Sequence, residues 1–314
     1  MRSIRAFFIT FLITTTFLFL FSGKTFGQAE KPWWTKISPG AGIEFEFEYW
    51  RAETSFSMHG HPPAATNEWE LKYDDLGANI LTISGRWNFM RGAFLEASYG
   101  FGNIEEGDLT DTDWDAAGVV SDYSVSTASG DTRSYDLNLF YRFEFQEIWM
   151  LKRSHLDLLV GYRNHKDSVE YEDALTTISN YQSVSIFSPG IWNENELTYD
   201  GIRLGLGGEV ELSYRFALRA SVGYMPDVDA DYYELRYPGT ASAVRGDITA
   251  DGHAWDFDIA FSFNPVPNLS FSLGYRYMRF RTTGEDDPIS NWAGSHERLE
   301  TKYEGVFIGM RYAF

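Results

Sequence analysis

The sequence predicts an all-β fold, a ten-stranded antiparallel transmembrane β-barrel. Three observations lead there. Apolar and polar residues alternate over long stretches, aromatic residues make up 17% of the chain and gather at the ends of those stretches, and short turns alternate with long polar excursions. Period two with one apolar face signals a strand. Charged residues on the other face suit a membrane barrel, in which apolar side chains meet lipid and polar ones line the lumen.

The chain opens with Arg2 and Arg5, an apolar run from Ala6 to Phe21, and small residues around Gly27. A basic start, short apolar core and small-residue exit predict a secretory signal peptide over residues 1–27, leaving the barrel as residues 28–314. No Cys follows the apolar run, so a lipid anchor is excluded, and the complete lack of Cys fits an exported chain that needs no disulfides. Losing Arg2, Arg5 and Lys24 takes the formal charge from −19 to −22. Nucleic-acid binding needs positive surface to displace counterions from phosphate, so that class is excluded.

The first strand is announced by Ile43, Phe45, Phe47 and Tyr49 alternating with Glu44, Glu46 and Glu48. The three Glu are expected in the lumen, paired with Arg142, Arg163, Arg203 or Arg311. Tyr135 to Phe143 and Trp255 to Phe263 repeat the alternation. Short turns are expected at 90–92, 146–153, 213–216 and 264–268. Long excursions are expected at 58–67, 103–133, 169–195, 229–251 and 282–298. Those alternations give ten strands with both termini at the short-turn end, the asymmetry of periplasmic turns and extracellular loops in bacterial outer-membrane barrels. LVGYR, SVGYM and SLGYR (159–163, 221–225, 272–276) place a Gly on the lumen side of three strands, where a narrow interior is crowded. Ten strands lie near the side-chain-filled end of the barrel range, which disfavours a general porin. VFIGMRYAF closes the chain on Phe314, and a terminal Phe on an alternating strand resembles the assembly signal of such barrels.

The second excursion contains GDLTDTDWDAAG, with Asp108, Asp111, Asp113 and Asp115 in close succession. A tilted strand climbs about 2.4 Å per residue, which puts Asp111 roughly 44 Å above its turn and beyond the ~25 Å apolar band. A solvated acidic loop is the simplest account. A calcium loop through Asp111, Asp113, Asp115 and Asp122 is weaker, since Ala116 stands where a Gly is required and no helices flank it. Paired catalytic carboxylates are the third.

The long outer strands, the Asp111-x-Asp113-Trp114 motif and the terminal Phe314 resemble the omptin family of outer-membrane endopeptidases. SYDLNLFYRF, from Ser134, resembles the family's following strand. The resemblance implies that Asp111 and Asp113 face an Asp–His pair of the fourth loop across a cleft, where a held water attacks the peptide bond. On the fourth excursion Asp231 reaches about 39 Å, matching Asp111, but Tyr233 stands where the His would be. Asp251 and His253 have the right spacing, yet His253 reaches only about 27 Å and shares the lipid parity of Trp255. Height favours Asp231 with Tyr233. An omptin pocket for a basic residue implies Glu53 and Asp229 as substrate-binding acids, although Glu53 shares parity with the lipid-facing Tyr49. His59, His61 and His296 lie on other outer loops and could reach the cleft.

Two classes of function follow. One is an aspartate-dependent surface endopeptidase acting on basic peptides. The other is a non-catalytic outer-membrane barrel whose acidic loops bind a partner or a cation. Both predict contact with outer-membrane lipid, and the negative charge would attract cationic peptides or proteins. No cofactor or metal motif is visible.

Overall fold

The computed structural model describes residues 42–61, 68–148, 151–236, 244–283 and 295–314. The signal peptide expected over residues 1–27 lies outside them. Ten antiparallel strands form a closed ring: β1 (Ile43–His61), β2 (Glu68–Met90), β3 (Ala93–Trp114), β4 (Val120–Ile148), β5 (Leu151–Ser179), β6 (Gln182–Glu211), β7 (Phe216–Arg236), β8 (Val244–Val266), β9 (Leu269–Thr283) and β10 (Ser295–Ala313). Each strand pairs with its neighbours in sequence, and β10 closes on β1 from Glu44↔Ala313 to His61↔Ser295. Closure satisfies every strand edge in the spanning region, as a bilayer without competing water demands.

The outer face near the short-turn end is apolar. Phe45, Phe47, Leu137, Leu139, Val160, Leu204, Leu206, Leu273 and Ile308 all point outward and are exposed. Aromatic contacts bound this band above and below. Tyr99 meets Tyr135 at 4.9 Å and Tyr224 meets Trp255 at 4.2 Å at the upper edge. Trp87 meets Phe89 at 5.6 Å, and Tyr312 meets Phe314 at 4.8 Å, at the lower edge. Two girdles around an apolar belt mark a membrane-spanning wall.

Inside the belt the lumen is ionic. Arg219 binds Glu46 at 2.8 Å and Glu48 at 3.2 Å, and Arg276 binds Glu48 and Asp258, each at 2.8 Å. Arg163 joins Asp136 at 2.6 Å to Asp256 at 3.2 Å, and Arg203 also pairs with Asp256. The Glu residues of β1 therefore face the lumen as expected, and Arg311 stands opposite Glu46 across the β1–β10 pair, but their closest ion pairs are with other cations. Glu44 lies 3.8 Å from Arg86, while Glu46 and Glu48 use Arg219 and Arg276. Which cation meets which acid depends on strand stagger across the ring, and alternation along one strand does not encode it. A cavity of about 180 Å³ remains among these side chains.

Above the ionic layer the lumen is packed. Trp50, Phe56, Tyr73, Tyr171, Tyr199, Tyr232, Phe280 and Tyr303 are all buried in one cluster. The expected long loops are largely strand. The second excursion, 103–133, is β3 and β4 joined by a turn around Asp115–Gly118, and the third closes at Asn180 and Tyr181. Above the membrane the outward face turns polar while the inward face packs as Leu109, Ala128, Val169 and Tyr171, so the apolar-outside pattern ends and the strands read as loops.

Candidate functional site

β3 carries Asp111 and Asp113, and its orientation depends on a bulge. Up to Ile104, even-numbered residues face the lumen: Gly100 and Ile104 are buried while Tyr99 and Phe101 face out. Between Ile104 and Gly107 the register with β4 shifts by one residue. An inserted residue exchanges the two faces of a strand. Leu109, 3% exposed, then points inward, and Asp111 and Asp113 share its face. The register agrees: Asp111 lies between Leu71 of β2, itself buried, and Ser124 of β4. Asp113 lies between Trp69, which packs on the core cluster, and Asp122.

The rest of the motif holds the β3–β4 tip in shape. Asp115 Oδ1 accepts the N–H groups of Ala117 and Val119, both at 2.9 Å, and Gly118 turns the chain at a φ of 74°. Asp122 Oδ1 accepts the N–H of Asn180 at 3.3 Å, tying this tip to the β5–β6 turn. Asp115 and Asp122 thus bind backbone rather than completing a calcium loop with Asp111. Trp114 faces outward, its ring parallel to His59 at 6.4 Å, and His59 Nε2 lies 3.2 Å from Glu70. His59 is therefore on the outer face of the wall; the side chains of His61 and His296 lie outside the described residues.

The facing half departs from expectation. β7 has its own bulge between Met225 and Val228. Below it Gly223 and Met225 face the lumen; above it Val228, Ala230, Tyr232 and Glu234 do. Asp231 is exposed and points outward with Asp229 and Tyr233, so Asp231 and Tyr233 do not face Asp111. The bulge exchanges the two faces of β7. The inward carboxylate on this wall is Glu234, 6% exposed, which accepts Asn193 Nδ2 at 2.9 Å. Tyr232, beneath it, stacks at 6.4 Å on Phe56, which stacks on Tyr73 at 5.2 Å, forming an aromatic floor.

The remaining candidates also lie outside. His253 faces out, 6.4 Å from the Tyr224 ring and opposite Arg281. Glu53 is exposed, since alternation in β1 runs unbroken from Glu44 to Gly60. Asp229 forms a cross-strand row with Asp200 on β6 and Asp251 on β8. Partial desolvation, then the charges of Asp200, Asp227 and Asp251, push its carboxyl above the usual range.

Two imidazole–carboxylate pairs went unread in the sequence. His165 Nε2 lies 3.1 Å from Asp167 Oδ1, which also accepts the Tyr303 hydroxyl at 2.6 Å. His155 lies 3.5 Å from Asp157. The signal was the repeated His-x-Asp of β5 on the lumen parity. His165 is sealed below the floor, against Phe280 and Tyr303 at 5.2 Å each. It cannot meet a substrate held by Asp111. Among the described residues, the lumen face of the rim therefore presents acids, amides and aromatics, and no imidazole.

A family profile described as Protochlamydia outer membrane protein matches residues 44–306. Among solved structures, the chain is similar to the outer membrane protease OmpT from Escherichia coli. The TM-score is 0.69 at 15% identity, covering 88% of this chain and 98% of that one. It is also matched, at a TM-score of 0.37 and 11% identity, by the translocator domain of the autotransporter NalP from Neisseria meningitidis, over 88% of this chain and 89% of that one. No curated protein matches the sequence. The likeness to the protease establishes a shared ten-stranded fold and, at that identity, nothing about chemistry. The matched family and the fold together place the barrel in a bacterial outer membrane.

Proposed function

The chain belongs to the Protochlamydia outer membrane protein family, and from that premise we propose that it is a surface receptor whose acidic cup captures cationic peptide segments. The tall end of the barrel, on this reading, faces the cell exterior. The carrying observation is the inward gathering of Asp111, Asp113 and Asp122 on adjoining strands, with Glu234 on the far wall and an aromatic floor between. Carboxylates bind Lys and Arg side chains by charge. The excess of acid over the whole chain draws such ligands in.

A second reading, an omptin-type endopeptidase, is favoured by Asp111-x-Asp113 facing the cup from β3. It needs a group to accept a proton from water near neutral pH, the usual role of His. Asp231, Tyr233 and His253 all face away. Binding is therefore the better-supported function. The deciding experiment presents a fluorogenic dibasic peptide to the refolded, lipid-reconstituted protein and reads anisotropy and cleavage together. Saturable binding without turnover is expected, and rapid turnover would replace the receptor by the peptidase.

A further inference from the structure

The cavity of about 180 Å³ inside the ionic layer is bounded by polar groups of two kinds. Its guanidinium and carboxylate groups are committed to one another. Besides the pairs of Arg163, Arg203, Arg219 and Arg276, Arg86 holds Glu96 at 2.7 Å and Arg142 holds Asp157 at 2.8 Å. An ion entering this space would have to open one of those pairs and leave a buried charge alone, which is strongly unfavourable.

The second kind is unsatisfied. Trp50 on β1, Asn138 on β4 and His165 on β5 line the cavity, and each is at most 3% exposed. Among the described residues, Trp50 Nε1, Asn138 Oδ1 and His165 Nδ1 have no hydrogen-bond partner. Asn138 Nδ2 donates to Glu96 at 3.3 Å and His165 Nε2 faces Asp167 at 3.1 Å, so in both side chains the other polar atom is the free one. Buried polar atoms are rarely left this way. An indole N–H can only donate, an amide oxygen can only accept, and an imidazole nitrogen does either. A guest that serves all three must both donate and accept, as a hydroxyl does. An apolar guest would leave all three bare.

Size and access narrow the class further. A cavity of ~150 Å³ holds benzene, so this one takes roughly seven or eight non-hydrogen atoms. Thr82, Ser84, Ser98 and Ser134 of β2–β4 add hydroxyls along one side. Above, Trp50, Phe280 and Tyr303 are buried in the aromatic layer, which closes the way to the cup. Toward the short-turn end, a smaller gap among Glu44, Ser84, Arg86 and Arg311 adjoins the cavity. We propose that the lumen is a binding site for a small neutral polyol, entered from the short-turn end and closed toward the tall end. The site is separate from the acidic cup and does not rest on the receptor reading.

The test uses refolded full-length protein in detergent with isotope-labelled indole nitrogens. The Trp50 N–H resonance is identified by its loss in Trp50→Phe. The probe is erythritol, a four-carbon tetrol with eight non-hydrogen atoms. Succinate and putrescine, of the same carbon length, carry negative and positive charge instead. Erythritol should shift the Trp50 resonance saturably, with a Kd on the order of millimolar for so small a guest, and succinate and putrescine should leave it in place. Ser84→Gln puts a longer neutral side chain into the lower part of the cavity and should weaken erythritol by about tenfold or more. A shift with either charged compound overturns the neutral class. A shift that persists unchanged in folded Ser84→Gln overturns this cavity as the site. No saturable shift with erythritol leaves the cavity to water alone and overturns the proposal. Should Ser84→Gln fail to fold, the three probes on the wild-type protein decide the matter.

Discussion

Asp113 stands directly opposite Asp122 across the β3–β4 pair, on the strand face that also carries the buried Leu109. Like charges directly opposite one another destabilise a sheet. Side by side they concentrate negative potential where a cation can relieve it. Asp113→Asn should therefore raise the temperature at which the folded band converts on heat-modified gels, while weakening a basic peptide severalfold. If both quantities fall together, Asp113 serves the fold rather than the ligand.

The direction of β7 above its bulge sets a second expectation. Tyr233→His places an imidazole outside the barrel, so dibasic-peptide cleavage should stay at background. Glu234→His places it inside, on the wall facing Asp111. A candidate base must come within hydrogen-bonding reach of the reacting water, directly or through one other. Restored cleavage in the Tyr233 variant, measured by fluorescence release, would show that the β7 register is misassigned.

The barrel was legible because its information is local. Tyr49 opposing Glu48, or Phe257 opposing Asp256, needs only neighbours in sequence to be sorted into outside and inside. The candidate site was marked on β3 by its motif and unmarked on β7, where Glu234 is the inward acid, and in both strands a bulge sets which residues face inward. A one-residue bulge near Glu105 turns Asp111 inward, and another near Pro226 turns Asp231 outward. Nothing in the period of either strand announces the insertion. The lumen pairs of Arg219 and Arg276 were hidden for a different reason, since they join strands distant in sequence through the ring's stagger.

Gly223 tests the crowding of the lumen. A Cβ built there would clash with Asp256 Oδ2 and with the Arg203 guanidinium. Gly223→Ala must displace a buried ion pair, and overpacking of this kind costs about 1–3 kcal/mol. A lower folded yield after refolding is expected, and Gly42→Ala, with nothing within 4 Å among the described residues, is the control that should fold normally.

At the closure of the ring, Phe314 donates its N–H to the Ile43 carbonyl at 2.9 Å and sets its ring edge-on to Phe45 at 5.9 Å. Deleting Phe314 removes the last closing bond and an aromatic of the lower girdle. Membrane assembly, followed by the heat-modifiable fraction in isolated envelopes, should drop. Unimpaired assembly would show that Tyr312 and the preceding pairs suffice.

The row Asp200–Asp229–Asp251 gives the pH dependence. Asp229 has a carboxyl raised by partial desolvation and by its acidic neighbours. A carboxyl with a raised folded value holds its proton more tightly in the native barrel than in the unfolded chain. Its contribution is thus unfavourable at neutral pH and is relieved as pH falls through that raised value toward the ordinary Asp value of about 3.9. Because the side chain is exposed, solvent and salt screen the effect, and a few tenths of a kcal/mol is the expected scale. Asp229→Asn should stabilise the folded band at neutral pH in low salt, and the gain should shrink in high salt. It should also vanish below about pH 4, where the wild-type acid is itself neutral. A gain that persisted unchanged in acid would mean that Asn packs better there, and that repulsion along the row is not what the substitution removes.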